Sequence, residues 1–209
     1  MCHRRGIVLA AILAALALGC GKSDPAGSSA GPSAVDGGGQ PATSTDPASV
    51  AKLDGPAKAV FEFLDAVRAG NDAKATQMLT SLARTKAAEM NRTVRPPASD
   101  TARFQVGHVE HLGNDGARVA CAWTDLDEHG QPQTDEALWM VRREAEGWRI
   151  AGVAATVFPG EPPLLLDFEK PEEMVQKQQW VRDEIRRRAE EESALQAQSG
   201  ENSEKSVRR

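Results

Sequence analysis

This chain of 209 residues has only three cysteines, and their placing removes most thiol chemistry. Cys2 and Cys20 flank an N-terminal apolar run, which leaves Cys121 alone in the body of the chain. One cysteine cannot close an intramolecular disulfide, and there is no Cys-x-x-Cys pair. Cys121 lies between Ala120 and Ala122 with no basic neighbour to stabilise a thiolate, so it reads as a buried, inert thiol. Long apolar runs are also missing. Ile7–Leu18 spans 12 residues, short of the ~20 that a membrane-spanning helix needs. Basic clusters are scarce: Arg186, Arg187 and Arg188 are followed at once by Glu190, Glu191 and Glu192, the pattern of a solvated helix face. With a formal charge of −5, the composition argues against nucleic acid as a partner, because phosphate contacts need clustered Lys and Arg. No Ser–His–Asp order and no phosphate-binding loop is present.

What is present begins at the N-terminus. His3, Arg4 and Arg5 precede the apolar run, and small Gly19 follows it, the plan of a secretory signal peptide. Leu16-Ala17-Leu18-Gly19-Cys20 resembles the lipobox of bacterial lipoproteins. That resemblance implies a diacylglyceryl thioether on Cys20, cleavage before it and acylation of the new amino terminus. The family usually places Leu three residues before the cysteine, where this chain has Ala17. Residues 1–19 then form the signal peptide, and loss of Arg4 and Arg5 takes the formal charge from −5 to −7. Several acyl chains, at ~0.8 kcal/mol per buried methylene, make an anchor that does not readily leave the membrane. Gly21, where an Asp would signal retention, resembles the outer-membrane sorting signal of a diderm host. The expected location is the cell envelope, facing the periplasm if the host is diderm.

Residues 20–54 carry the lipidated cysteine and then 34 residues dominated by Gly, Ser, Ala, Pro, Thr and Asp. Such a stretch cannot bury enough surface to offset its ordering entropy and reads as a disordered tether. As a flexible coil it spans roughly 30 Å root-mean-square. The folded part opens at Pro56, with Asp54 or Gly55 as cap. Val60, Phe63, Leu64 and Val67 follow at helical spacing and Gly70 stops the helix. Asn71 and Asp72 can cap a short second helix burying Met78 and Leu79. Thr80 or Ser81 caps a third that runs towards Met90, and Pro96 and Pro97 close the helical third.

The apolar period then shortens from about 3.6 to 2. Phe104, Val106 and His108 share one face of a strand, and Gly113-Asn114-Asp115-Gly116 is a hairpin turn. Val119, Cys121 and Trp123 alternate on the return strand, and Asp127–Gln133 forms a looser turn. Leu138–Arg143 and Trp148–Val157 give two further strands, making about four. Thr134–Gly147 also fits a helix, but its neighbours favour a strand. Leu164–Phe168 packs a crossing segment onto the domain. Pro171-Glu172-Glu173 starts a C-terminal amphipathic helix over residues 169–198, with Met174, Trp180, Val181, Ile185 and Leu195 as its apolar positions and Gln178, Arg188 and Glu192 interrupting them. Residues 199–209 read as a frayed tail.

This order is α+β: N-terminal helices packed on a curved antiparallel sheet, cone-like, plus a C-terminal helix. "VFEFLDAVRAGNDAKATQMLTSLAR" followed by meander strands ending "WMVRREAEGWRIAGV" resembles the nuclear-transport-factor-two-like superfamily over roughly residues 55–158, within a domain of residues 55–168. The resemblance implies a cone with a pocket and leaves the function open, since that superfold hosts enzymes, binders and assembly modules.

Few side chains offer chemistry. His108, Trp123 and Trp139 are the candidate pocket lining for a small apolar ligand, although core is the plainer reading of the three sheet tryptophans. His108 with Asp65 is the weak candidate catalytic pair, and no catalytic residue is carried over from the superfamily. His108 and His111 share a face only on a helix, so on a strand they do not hold a metal together. In "DLDEHGQPQTDE", Asp125, Asp127, His129, Gly130 and Glu136 stand at positions 1, 3, 5, 6 and 12 of a calcium-loop pattern. His129 is the wrong ligand for a hard ion, and a strand precedes the loop where the motif has a helix. Asp125, Asp127 and Glu136 are therefore weak calcium candidates, and an acidic hairpin turn is the plainer reading. The expectation is a lipid-anchored envelope protein with a non-catalytic binding or scaffolding domain. The alternatives are an isomerase- or dehydratase-like enzyme using the cone, or a calcium-stabilised assembly module. The C-terminal helix is the candidate surface for an envelope protein partner.

Overall fold

The computed structural model describes residue 53 and residues 55–90, 99–127 and 129–207, with 195–207 as backbone alone. The signal peptide, Cys20, the tether, Asp54, Pro96, Pro97 and residues 208–209 lie outside the described residues. The chain runs α1 (Gly55–Arg68), α2 (Asp72–Gln77), α3 (Ser81–Glu89), β1 (Arg103–Leu112), β2 (Gly116–Leu126), β3 (Pro132–Glu144), β4 (Gly147–Ala155), β5 (Leu164–Asp167) and α4 (Pro171–Val207). The fold is α+β, with a five-stranded open antiparallel sheet in the order β1-β2-β3-β4-β5.

Local chemistry sets the helix ends. Val60, Phe63, Leu64 and Val67 are all buried, so α1 turns one stripe inward. Gly70, at φ +66°, closes α1. Its amide donates to the Val67 carbonyl at 3.0 Å, and the Asn71 amide donates to Ala66 at 2.8 Å. The Asn71 side chain then accepts from the Lys74 amide at 3.0 Å and starts α2. Thr80, fully buried, accepts from the Ala83 amide at 3.2 Å and starts α3. Glu144 at the end of β3 accepts from both the amide and the hydroxyl of Ser81, each at 2.9 Å. A carboxylate thus sits where the α3 dipole favours negative charge. The link between α2 and α3 is tied to the sheet: Thr80 donates to the Ile150 carbonyl at 3.0 Å and the Ile150 amide to Met78 at 2.8 Å.

The sheet is longer and wider than the sequence pattern indicates. β2 and β3 pair without a break from Gly116↔Arg142 to Leu126↔Pro132. Thr134–Gly147 is therefore strand where a helix was the alternative, and β3 begins six residues before Leu138. Pro132 stands at the strand's first position, where a missing N–H costs no ladder bond. A fifth strand replaces the expected count of four. Leu164–Asp167 does more than pack across the domain: it pairs with β4 from Ala155↔Leu164 to Gly152↔Asp167. Three successive leucines carry no alternation, and only the partner strand sorts them, with Leu166 buried and Leu165 exposed.

Two bulges interrupt the ladders, one between Val106 and Val109 and one between Met140 and Val141. Bulges of this kind bend and twist a sheet.

α4 docks along Met174, Gln178 and Val181, all buried at i, i+4 and i+7. Gln178, an interruption on hydropathy alone, belongs to the docked stripe. Trp180 and Ile185, grouped with Met174 by apolarity, are 49% and 43% exposed. The last clamp is Arg188. Its guanidinium lies 4.0 Å from the Phe158 ring centroid, pairs with Glu161 and reaches Glu184 at 2.6 Å. Residues 189–194 are exposed, and the helix continues to Val207, past the boundary at 198 where a tail was expected. Glu, Ser and Ala are the commonest residues of this stretch, and the helix runs through the single Gly200, which costs about 1 kcal/mol.

Candidate functional site

The sheet has two faces, and strand alternation decides what each one carries. On the covered face, α1 lies across β1 to β4. Phe63 meets Trp139 edge-on at 5.2 Å, and Trp139 meets Phe168 at 6.5 Å. Phe104 stacks on Trp123 at 5.8 Å and touches Phe61 at 5.3 Å. Trp123 and Trp139 are 7% and 5% exposed. These rings fill the space between helix and sheet, so the two tryptophans act there as core.

The other candidate residues do not converge on that interior. Val106 pairs with Cys121 and Val109 with Val119. Gly107 and His108 together therefore oppose the single residue Ala120. The bulge returns Val109 to the face of Val106, and His108 loses the shared face that simple alternation assigns it. His108 is exposed. Asp65 is half-buried and bonds Arg68 at 2.9 Å, along the outer side of α1. Cys121 is buried and free, and burial pushes its thiol up to about 12, far from thiolate chemistry at neutral pH.

The acidic segment is spent on the hairpin. Asp125 accepts from the Ser99 and Thr101 hydroxyls at 3.0 and 2.5 Å. Asp127 accepts from the amides of Gln131 and His129, both at 2.8 Å, and those bonds hold its carboxyl below the ordinary range. Glu136 stands on β3 opposite Ala122, exposed. Among the described residues no three His, Cys, Asp or Glu side chains come together as a metal cluster.

A broad concavity with an apolar floor and polar edges lies on the open face. It has a volume of about 520 Å³, with Gly107, Ala120, Ala122 and Leu138 across its floor, Gln105 and Glu136 along one edge, and Thr156 and Pro163 at one end. Register explains the floor. Gly107 lies over Ala120, to which an added Cβ would come within 3.5 Å. Ala120 pairs with Leu138, Leu138 with Ala154, and Ala154 with Leu165. A stripe of Gly107, Ala120, Leu138, Ala154 and Leu165 thus crosses all five strands. Leu138 and Leu165 are 39% and 43% exposed. On one side of the stripe Glu110 faces Arg118 at 3.6 Å, and further along β3 Arg142 meets Glu169 at 3.1 Å. The cue in the sequence is the spacing Ala120, Ala122: a solvated strand face ordinarily carries polar residues at every second place.

No protein-family model matches the chain, and no curated protein matches it. Among solved structures it is similar to a ketosteroid isomerase-like protein from Erwinia carotovora atroseptica SCRI1043, at 18% identity, covering 47% of this chain and 89% of that one, with a TM-score of 0.36. It is also similar to the association domain of C. elegans CaMKII, at 16% identity, covering 46% of this chain and 88% of that one, with a TM-score of 0.36.

Proposed function

We propose that this chain is a lipid-anchored envelope protein whose α+β domain binds or scaffolds, with the open sheet face as its working surface. The observation that carries this reading is the contrast between the faces. Aromatic side chains fill the covered face, whereas the concavity on the open face is small-residue, apolar and edged by Gln105 and Glu136. Such a surface recognises shape and excludes water. It offers no nucleophile–base pair within reach of a reacting atom. Cys20 supplies the membrane attachment, and the tether sets the domain roughly 30 Å from it.

Two experiments test the two halves. Replacing Cys20 by Ser leaves the protein unprocessed or releases it to the soluble fraction; continued membrane fractionation with normal processing sinks the anchor. A photo-crosslinking residue at Leu138 forms conjugates in the cell envelope, while one at exposed Lys58 on α1 does not. Equal behaviour at both places rules out the open face as the working surface.

A further inference from the structure

We propose that the open-face concavity is a binding site for a small aliphatic primary amine, its ammonium seated over Ala122 and its carbon chain lying on Ala120 beside Leu138. The inference rests on the reading of that face as the working surface, and it names the class of ligand.

Register brings the polar groups together. Gln105 pairs with Ala122, and Ala122 with Glu136. Thr156 follows Ala155, the partner of Ala137, and so stands next to Glu136 in the same row. All four residues line the cavity. Ala122 ends at its Cβ, so the row has a gap above β2, with Gln105 on one side and Glu136 on the other. β1 and β3 are about 10 Å apart across that gap, a span that a Gln and a Glu side chain can close onto a small group between them. Along β2 the next open-face residue is Thr124, whose hydroxyl lies 2.7 Å from that of Thr134. A carboxylate, an amide carbonyl and a hydroxyl thus surround the gap, and all three are acceptors. An alkylammonium brings one positive charge and three N–H donors.

Charge selects the ligand. Glu136 has no ion pair or hydrogen bond among the described residues. The other charged side chains of the open face are engaged: Arg118 with Glu110 at 3.6 Å, Arg142 with Glu169 at 3.1 Å, and Arg149 with Glu146 at 3.4 Å. Arg103 donates to the carbonyls of Asp100, Thr101 and Ala102, and Asp167 accepts from the Glu169 amide. One carboxylate is left over beside an apolar floor. A metal ion would want further anionic ligands, and among the described residues none joins Glu136. The complement is an organic cation.

Size sets its body. From Ala122 the floor runs two residues along β2 to Ala120, about 7 Å, with Leu138 alongside and Ala154 beyond it. A volume of about 520 Å³ lies in the ~300–1,000 Å³ range of small-molecule sites. An exposed ion pair contributes at most ~1 kcal/mol, so the carbon chain supplies the rest by leaving water for Ala120 and Leu138.

The test titrates the full-length protein in detergent with n-pentylammonium and follows the amide NMR signals of Ala120, Ala122 and Leu138. Saturable shifts are expected at all three. Glu136→Gln weakens binding about tenfold or more, and 1-pentanol binds the wild type more weakly by a similar factor. Ala122→Leu, which fills the gap and leaves Glu136 in place, abolishes the shifts. The absence of saturable shifts overturns the amine site, as does pentanol binding equally well or Glu136→Gln binding unchanged. Pentylguanidinium binding as tightly as pentylammonium overturns the ammonium as the recognised group. Cross-linking from position 138 judges the face itself: conjugates there without amine binding overturn this ligand and leave the working surface standing, and the absence of both overturns both.

Discussion

The two faces of one sheet divide the molecule's work. On the covered face, the strands contribute Phe104, Trp123, Trp139, Val141 and Ile150, all buried against α1 and the docked start of α4. On the open face the same strands contribute Gly107, Ala120, Ala122 and Leu138, alternating in register with those very residues. Large rings on one side give cohesion, since each buries much apolar area and meets its neighbours edge-on or stacked. Small residues on the other side give little cohesion and leave room. A face that served only to meet water would carry charges at those positions. The difference locates stability on one side of the strands and, on the proposed reading, recognition on the other.

The strongest way to break this contrast is to empty the covered face. Phe63→Ala should lower the unfolding free energy by about 3–5 kcal/mol in a urea titration, while Leu138→Ala should cost well under ~2 kcal/mol. Equal costs would mean that the faces are not specialised. Gly152→Ala comes next. A Cβ there would stand 2.5 Å from the Leu166 carbonyl oxygen, so β5 must shift, at a cost of about 1–3 kcal/mol. Faster amide exchange at Leu166 and Phe168 should report it.

Acid probes the margin where α4 joins. Hydrogen bonds from Arg187 and Arg188 hold the Glu184 carboxyl at about 2, against an ordinary 4.5. A depressed carboxyl favours the folded form above its ordinary value and loses that contribution as pH falls through about 2. Loosening of α4 near Arg188 should therefore develop between about pH 4.5 and 2, visible as a change in Trp180 fluorescence. A transition complete above pH 5 would exclude Glu184 as its cause. The smallest effects are expected at the residues that do not converge: His108→Ala should move stability by less than ~0.5 kcal/mol. A chelator should leave the melting temperature unchanged, and a drop would reinstate calcium at Asp125, Asp127 and Glu136.

Much of the architecture was legible because its cues are local. Gly70, Asn71 and Thr80 stop and start helices through their own backbone or side chain, and Gly113–Gly116 turns the first hairpin without outside help. What escaped depends on distant partners. β5 is four residues of continuous apolarity, and only pairing with β4 makes it a strand. The pattern at Asp125–Glu136 assumes one loop, whereas the chain spreads it over two strands and a turn. Gly107 within a strand was a cue to a bulge, and it moves His108 off the face that alternation gives it. The open-face stripe is written in sequence as alanines at every second place on β2. Its continuation through Leu138, Ala154 and Leu165 exists only once register is known.

The length of α4 beyond Arg188 has a mechanical meaning. From Ala189 to Val207 the helix adds 19 residues beyond the Arg188 clamp, about 28 Å of rod at 1.5 Å per residue. A rod hinged at one end converts angle into distance: a tilt of ~10° at the clamp displaces the tip by about 5 Å, nearly one helical pitch. Glu161 and Phe158 are therefore the fulcrum of a lever, and small changes in their grip on Arg188 are magnified at the far end.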